Sequence, residues 1–214
     1  MRLRGDEWVL LAPVAVAGAI SITVGTRMPE KMAVHWNAAG QADGYACRTW
    51  GVFGLPLLGL LLALLFLVIP RIDPLRENIR LFAKQYYRLT TLLLAFLLAM
   101  HCYVLLWNAG ARIPVSMVMI PCLAALLFYT GHVCERARPN WFVGVRTPWT
   151  LSDPSLWEKT NRMGGRMLKA AALCSLTGLL WPEIAVWLVL APVLLTAVVA
   201  VVYSYVEYER TVRR

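Results

Sequence analysis

The chain has 214 residues, of which 59% are hydrophobic and only 15% are charged, and its mean hydropathy is +0.61. A water-soluble domain of this length needs more charge, so the composition excludes an ordinary soluble protein. The net charge of +9 does not indicate nucleic-acid binding, because no basic stripe lies on a separate soluble segment.

Six uncharged runs are the candidate membrane-spanning segments. Five of them are long enough to cross about 30 Å of hydrocarbon at about 1.5 Å per residue. The fifth run in chain order is short, but Lys169 can reach the interface and Trp181 can lie there. We predict an all-α integral membrane protein with six transmembrane helices; four spans followed by a re-entrant hairpin is the alternative. The runs are 8–26, 49–70, 89–111, 113–134, 170–182 and 184–206.

The distribution of basic residues predicts the orientation of the bundle. With a cytoplasmic N-terminus, 17 of the 21 lysine and arginine residues fall on the cytoplasmic side. This bias follows the positive-inside rule and favours contact with anionic lipids at that face. We therefore predict a protein of the cell (inner) membrane with both termini in the cytoplasm. The four basic residues on the other side are Arg27, Lys31, Arg48 and Arg112.

The first loop, 27–50, is predicted to be extracytoplasmic. It combines hydrogen-bonding and aromatic side chains, but one histidine and one aspartate do not form a metal site. A folded cap over the spans is the simpler interpretation, and a surface for a ligand or peptide is the alternative. Its candidate residues are His35, Trp36, Asn37, Asp43 and Tyr45.

The second loop, 71–88, is predicted to be a basic cytoplasmic segment. Asp73 followed by Pro74 is typical of a helix N-cap and first helical position. Apolar residues then recur every three or four positions, which predicts an amphipathic segment leading into the third span. We attribute its basic stripe to topology and to anionic lipid, at about 1 kcal/mol per charge; a specific acidic partner is the alternative. The stripe is Arg76, Arg80, Lys84 and Arg88.

The third loop, 135–166, is predicted to be cytoplasmic and is the most distinctive part of the chain. Pro139 and Pro148 fix φ at two points, and Gly144 permits a positive φ or a close backbone approach. Arg146 stands among aromatic residues, where a guanidinium suits a phosphate, a carboxylate or backbone carbonyls. The alternative is an interfacial loop in which Arg146 only faces water.

A second Asp-Pro pair lies inside this loop. Ser152, Asp153 and Pro154 predict the start of a helix that leads towards the fifth span. Further along, Gly164 and Gly165 offer either a break in that helix or a close contact with another one.

Other polar residues give little support for chemistry. His101 and His132 lie within predicted spans, yet neither has a carboxylate partner in its own span. The sequence contains no nucleophile elbow, no His-Glu-x-x-His motif and no phosphate-binding glycine loop. We therefore predict no catalytic residue, no cofactor and no metal.

Three blocks of the chain resemble the SdpI family of bacterial and archaeal membrane proteins. The first resembles a domain of unknown function often found in the N-terminal part of such proteins, and the third resembles the family's signature loop. Asn161 stands where the family usually has histidine, so no titratable role is carried over to it. The first block comprises Pro29, His35, Trp36, Asn37, Gly40, Asp43, Gly44 and Tyr45; the second Ile69, Pro70, Ile72, Asp73, Pro74, Asn78 and Phe82; the third Pro139, Asn140, Gly144, Arg146, Thr147, Pro148, Trp149, Thr150, Leu151, Trp157, Thr160, Arg162 and Gly165.

The resemblance implies a six-span protein that protects its cell from a pore-forming or depolarising peptide, and that can hold a transcriptional repressor at the membrane. We predict a non-enzymatic protein whose outer loop or span bundle binds a membrane-active peptide toxin and whose basic cytoplasmic face recruits a regulator. One alternative is a carrier or lipid-handling protein in which Arg146 and Asn140 hold an anionic group. A membrane enzyme is the other.

Overall fold

Long helices form most of this protein. The computed structural model describes residues 9–212, so Arg2, Arg4, Arg213 and Arg214 of the predicted charge bias lie outside the described residues. The elements are α1 (Ala12–Val24), β1 (Lys31–Trp36), β2 (Ala42–Cys47), α2 (Arg48–Ile72), α3 (Arg76–Leu81), α4 (Ala83–Asn108), α5 (Val115–Cys134), α6 (Pro148–Ser152), α7 (Pro154–Leu176) and α8 (Ala185–Val212).

Within the described residues, five helical stretches are long and apolar enough to cross a membrane. Large apolar side chains on them are exposed, among them Leu61 on α2 and Leu194 on α8. Such a surface suits hydrocarbon and would associate in water. The chain is therefore a multi-pass membrane protein. The stretches are Val9–Arg27, Arg48–Ile72, Ala83–Asn108, Val115–Cys134 and Pro182–Val212.

The helix that holds the first part of the predicted fifth span, 170–182, is not among these five stretches. α7 begins at Pro154, well before the predicted start at residue 170, and it ends at Leu176. Its first half carries charged residues such as Lys159 and Arg166, which lower its hydropathy. α7 packs between α5 and α8, so other helices cover its apolar face.

The first loop contains a two-stranded hairpin that the all-α prediction does not include. β1 pairs antiparallel with β2, and the pairing becomes irregular beyond Ala33. Asn37 closes the turn, because its side-chain oxygen accepts hydrogen bonds from the N–H groups of Ala39 and Gln41, each at 3.0 Å. Gly40 adopts a φ of +74°, which favours glycine. This hairpin is the predicted folded cap.

The prediction that Asp73 caps a helix starting at Pro74 is wrong. Asp73 lies at the C-terminal end of α2, and its carboxylate accepts a hydrogen bond from the N–H of Leu75 at 2.6 Å. α3 begins one residue later, and Phe82 then separates α3 from α4. The Asp73 carboxylate thus stabilises the turn after α2, and it also accepts a hydrogen bond from the third loop. Local sequence cannot reveal this second contact.

The second Asp-Pro prediction is confirmed. Asp153 is the N-cap of α7, with its carboxylate accepting from the N–H groups of Ser155 at 2.7 Å and Leu156 at 3.3 Å. α7 then runs without a break through Gly164 and Gly165. Of the two interpretations of this pair, a close helix contact is the one observed.

Two clusters of buried side chains hold the bundle together. The larger lies where α2, α3 and α4 meet the third loop, and it includes Ile79, Tyr86 and Trp157. The smaller lies beneath the hairpin and includes Met32 and Val104. The bundle thus has a signature end, formed by the third loop, and a hairpin end.

Candidate functional site

The third loop folds around the side chain of Asn140, which is fully buried. Its amide nitrogen donates to the carbonyls of Arg138 at 2.8 Å and Val143 at 2.9 Å. Its oxygen accepts from the N–H groups of Phe142 at 2.9 Å and Val143 at 2.7 Å. These four hydrogen bonds use the full capacity of an amide at this site, so Asn140 shapes the loop and has no donor left for a ligand.

Two residues after α2 tether the loop from one side. The buried Asp73 carboxylate accepts a hydrogen bond from the N–H of Trp141 at 3.0 Å. The amide of Asn78 donates to the carbonyl of Pro139 at 2.7 Å. The structure thus brings together candidate residues from the second and third loops. Pro74, the neighbouring candidate, lies in the turn between α2 and α3.

Two residues of α7 tether the loop from the other side. The indole N–H of Trp157 donates to the carbonyl of Ala137 at 2.8 Å, and the side-chain oxygen of Asn161 accepts from the N–H of Val145 at 2.7 Å. Gly144 has a φ of +113°, and a Cβ atom there would lie 2.5 Å from the Asn161 oxygen. Asn161 is therefore part of the site. The sequence had singled it out only because the family usually has histidine at that position.

The short helix α6 links the loop to α8. Thr147 and Thr150 form a reciprocal capping box, and Pro148 occupies the first turn. The Thr147 hydroxyl also donates to the Ser204 hydroxyl at 3.1 Å, and Trp149 packs against the ring of Tyr205 at 5.2 Å between centroids. Both α8 residues lie in an apolar run, so sequence reasoning missed them.

Arg146 is the signature residue that points outward. Its guanidinium is exposed and donates to the carbonyl of Trp141 at 2.5 Å. Of the three predicted partners, a backbone carbonyl is therefore the one observed. No carboxylate of the described residues lies within ion-pair distance of it.

The other cations near this end are paired on the surface. Arg162, a predicted candidate, forms an exposed ion pair with Glu158 one helical turn earlier. Lys159 donates to the Glu207 carboxylate at 2.7 Å, and this hydrogen bond raises the pKa of the lysine. Both pairs are consistent with a solvated face of α7.

A cavity of about 520 Å³ lies behind the loop, between α2, α4, α5, α7 and α8. Most of its lining residues are apolar, and Arg146 is the charged residue among them. Ala197 and Val201 of α8 line it and are also exposed, so the cavity opens on the lateral surface of the bundle.

At the hairpin end, α4 holds the hairpin in place. The side chain of Asn108 accepts from the N–H of Ala33 and donates to the carbonyl of Ala33, each at 2.9 Å. Trp36 packs edge-on against Tyr103 and Trp107, with ring centroids 4.9 and 5.5 Å away. Trp36 therefore supports the hairpin rather than presenting itself to a ligand.

The remaining outer candidates are exposed. His35 and Asp43 face each other across the strands, with a nitrogen-to-oxygen distance of 2.5 Å. Tyr45 is 51% exposed and lies beneath the ammonium of Lys31. Among the described residues no group of three or more histidine, cysteine, aspartate or glutamate side chains could hold a metal ion.

A groove of about 610 Å³ adjoins the hairpin turn. Residues 37–40 form one wall, and the first turns of α5 and α8 form the others. Its lining is mainly apolar and includes Ile113 and Met117, while Arg112 stacks on the ring of Trp107 at 3.8 Å. No sequence pattern indicated this groove, because its walls are far apart in the chain.

The two predicted intramembrane histidines have local partners. His101 is fully buried in α4 and its Nε2 lies 3.0 Å from the Ser21 hydroxyl of α1. His132 stacks on Tyr129 and lies 3.2 Å from a guanidinium nitrogen of Arg136. Neither contact involves a carboxylate.

Comparison with known proteins identifies two regions. Residues 136–204 match the model of the SdpI/YfhL protein family, and residues 13–60 match that of DUF1648, a domain of unknown function. The predicted SdpI-family resemblance is confirmed. The chain is also similar to "Immunity protein SdpI" of Bacillus subtilis (strain 168), with 24% identity over 195 residues that cover 89% of each chain. No solved structure matches this chain.

The SdpI match begins near the end of α5 and includes the third loop, α6, α7 and much of α8. It therefore contains the contacts that Asn140, Asn161 and Ser204 make. The DUF1648 match includes α1, the hairpin and half of α2. Asp73 and Asn78, which contact the third loop, lie in the chain between the two matched regions.

Proposed function

We propose that this SdpI-family protein protects the cell that makes it from a membrane-active peptide, and that it does so by binding rather than by catalysis. The observation that carries the proposal is the similarity to a protein named as an immunity protein along 89% of both chains. The structure adds support, because it has an ordered hairpin and an apolar groove at one end of the bundle.

The proposal includes six crossings with both termini in the cytoplasm. α7 starts beside the signature loop, and at its far end Gly178 packs near Ile120 and Ala185, at the opposite end of the bundle. α8 then returns, since Ser204 contacts Thr147. This path supports α7 as a crossing that packs between α5 and α8.

Charge supports the same orientation. Basic residues at the hairpin end are few, whereas those of the second loop, the third loop and α7 gather at the signature end. By the positive-inside rule the signature end faces the cytoplasm. The hairpin end then meets a peptide that arrives from outside, and its groove is the surface we assign to capture.

The groove suits one side of an amphipathic peptide. Its apolar walls would cover hydrophobic side chains, and Ile113 is 41% exposed in the loop that borders it. Asn37 and Arg112 would supply polar groups at its edge. Grooves that bind peptides in this way use apolar anchors for affinity and polar rims for orientation.

The experiment compares survival of sensitive cells that express this protein during challenge with a panel of membrane-active peptides. Ile113→Asp should lose protection, because it places a charge in the groove. Ile184→Asp is the matched control, since Ile184 is exposed at the same end and does not line the groove. Equal survival of all strains, including cells without the protein, would contradict the proposed function. Equal loss in both variants would contradict the groove as its site.

We further propose that the signature end recruits a cytoplasmic regulator. The support is its basic character, with Arg76 and Arg88 exposed beside the loop. A fluorescently tagged cytoplasmic repressor that co-purifies with the protein should move to the membrane when the protein is expressed and challenged. Substitution of both arginines by glutamine should leave the repressor in the cytoplasm, whereas unchanged membrane recruitment would contradict this assignment.

A further inference from the structure

The cavity behind the signature loop has the shape and surroundings of a ligand site. We propose that it binds the acyl chain of an anionic phospholipid whose phosphate lies against Arg146. Its volume of about 520 Å³ falls within the usual range of small-ligand sites, about 300–1,000 Å³. The inference does not depend on the immunity function.

The cavity walls suit hydrocarbon rather than a polar solute. Phe66, Leu93 and Leu168 contribute apolar surface from three different helices. The exposed Ala197 marks the opening towards the surrounding membrane. A chain of the bilayer can therefore enter from the side without passing through water.

The hydroxyl groups in these walls do not change that character. Thr130 donates to the carbonyl of Leu126 at 2.8 Å, and Thr196 donates to that of Pro192 at 2.8 Å. Tyr86 donates to the carbonyl of Phe66 at 2.8 Å. Thr90 likewise donates to its own helix. Because each hydroxyl proton is already used, the walls offer little to a sugar, an amino acid or a chain of waters.

Arg146 supplies the complementary charge at the end of the cavity. One guanidinium nitrogen donates to Trp141, which fixes the side chain, and no carboxylate of the described residues neutralises it. An arginine has five N–H donors in a planar fork that matches a phosphate. A basic site between transmembrane helices is a typical place for an anionic lipid headgroup.

The test uses the full-length protein, purified in detergent and examined by native mass spectrometry. The probes are lysophosphatidylglycerol and lysophosphatidylcholine with the same acyl chain, and inorganic phosphate alone. We expect one lysophosphatidylglycerol to remain bound, with lysophosphatidylcholine weaker by about tenfold, since its choline cation offsets the charge of the phosphate that lies against Arg146. Inorganic phosphate should show no retained complex.

Two pairs of variants separate the chain from the headgroup. Arg146→Gln should remove the preference for the anionic lipid, while Arg138→Gln, on the same exposed loop but not lining the cavity, should retain it. Ala197→Phe fills the opening and should abolish retention of both lipids. Ala191→Phe is its control, because Ala191 is exposed on α8 and does not line the cavity.

Three results would overturn the proposal. Retention of phosphate alone would indicate a free-anion site. Equal loss of the lipid preference in Arg146→Gln and Arg138→Gln would indicate attraction to the general positive charge of this surface. Full lipid retention by Ala197→Phe would place the acyl chain outside the cavity. Each variant's far-ultraviolet circular dichroism and elution volume verify folding; if Ala197→Phe fails these checks, Val193→Phe replaces it at another lining position of the same helix.

Discussion

Gly131 of α5 and Gly165 of α7 pack backbone against backbone: a Cβ atom on Gly165 would lie 2.5 Å from the carbonyl oxygen of Gly131. The contact continues into an ion pair, in which Lys169 donates to Glu135 at 2.6 Å. Small residues allow transmembrane helices to approach closely, which dispersion forces then stabilise. This pair sets the position of α7, from which Trp157 and Asn161 hold the signature loop.

Gly165→Ala should therefore destabilise the protein, although alanine is ordinarily the better helix former. Overpacking typically costs about 1–3 kcal/mol, more than the gain of about 1 kcal/mol from helix propensity. The measurement is the thermal unfolding midpoint in detergent. Gly18→Ala is the control, because no atom lies within 4 Å of its Cβ position, and it should leave the midpoint unchanged or raise it. A higher midpoint for both variants would contradict the close contact.

Asp73→Ala should make the third loop less stable, although the loop is far from Asp73 in the sequence. It leaves the part-buried N–H groups of Leu75 and Trp141 without their acceptor, which costs about 1 kcal/mol for each, the lower end of the range for buried groups. Hydrogen exchange should increase at Trp141. Asp153→Ala, which removes a helix cap at a cost of about 1 kcal/mol, should increase exchange only at the start of α7. The tether is refuted if exchange at Trp141 is the same in wild type and Asp73→Ala.

Gly144→Ala should be more harmful than Gly110→Ala. Both glycines have nearly the same positive φ, +113° and +110°, so the backbone strain of about 1–3 kcal/mol is shared. Only at Gly144 does the new Cβ meet a neighbour, the side-chain oxygen of Asn161. The difference between the free energies of unfolding of Gly144→Ala and Gly110→Ala thus measures the steric clash with Asn161. Equal destabilisation would show that Asn161 moves away freely.

Asn108→Ala should release the hairpin from α4. It removes three hydrogen bonds, two to Ala33 and one to the carbonyl of Val104. Hydrogen exchange at Ala33 should rise, with an expected cost of about 1–3 kcal/mol for the unpaired groups. Asn108→Asp keeps the acceptor for the Ala33 N–H and should show a smaller increase. If both variants match wild type, the packing of Trp36 alone holds the hairpin.

Several features could be predicted from sequence because they depend on neighbouring residues or on composition. The apolar runs predicted the helices that cross the membrane, since a hydrocarbon solvent requires long uninterrupted apolar helices. The Asp153 cap followed from one local hydrogen-bonding pattern. The third loop was correctly singled out, since its residues are unusual between apolar spans and match the SdpI family.

Other features required contacts between distant residues. The sequence predicted Asp73 to be a helix cap, but its carboxylate accepts a hydrogen bond from Trp141. Asn161 was noted only because the family usually has histidine there, but its side chain accepts a hydrogen bond from Val145. The fifth span was predicted to begin at residue 170, whereas α7 begins at Pro154 and packs between α5 and α8, and the apolar run does not contain these contacts. The β-hairpin was missed for the same reason, since Asn108 and the α4 aromatics stabilise it from outside the loop.

The sequence by itself determined the membrane environment, most of the helices and the resemblance to the SdpI family, because burial in lipid and local hydrogen bonding act on short stretches of chain. Only the tertiary structure decided what the signature residues do. Asn140 turned inward and Arg146 outward because side chains before and after the loop tether it, and the cavity behind it is not encoded by local sequence.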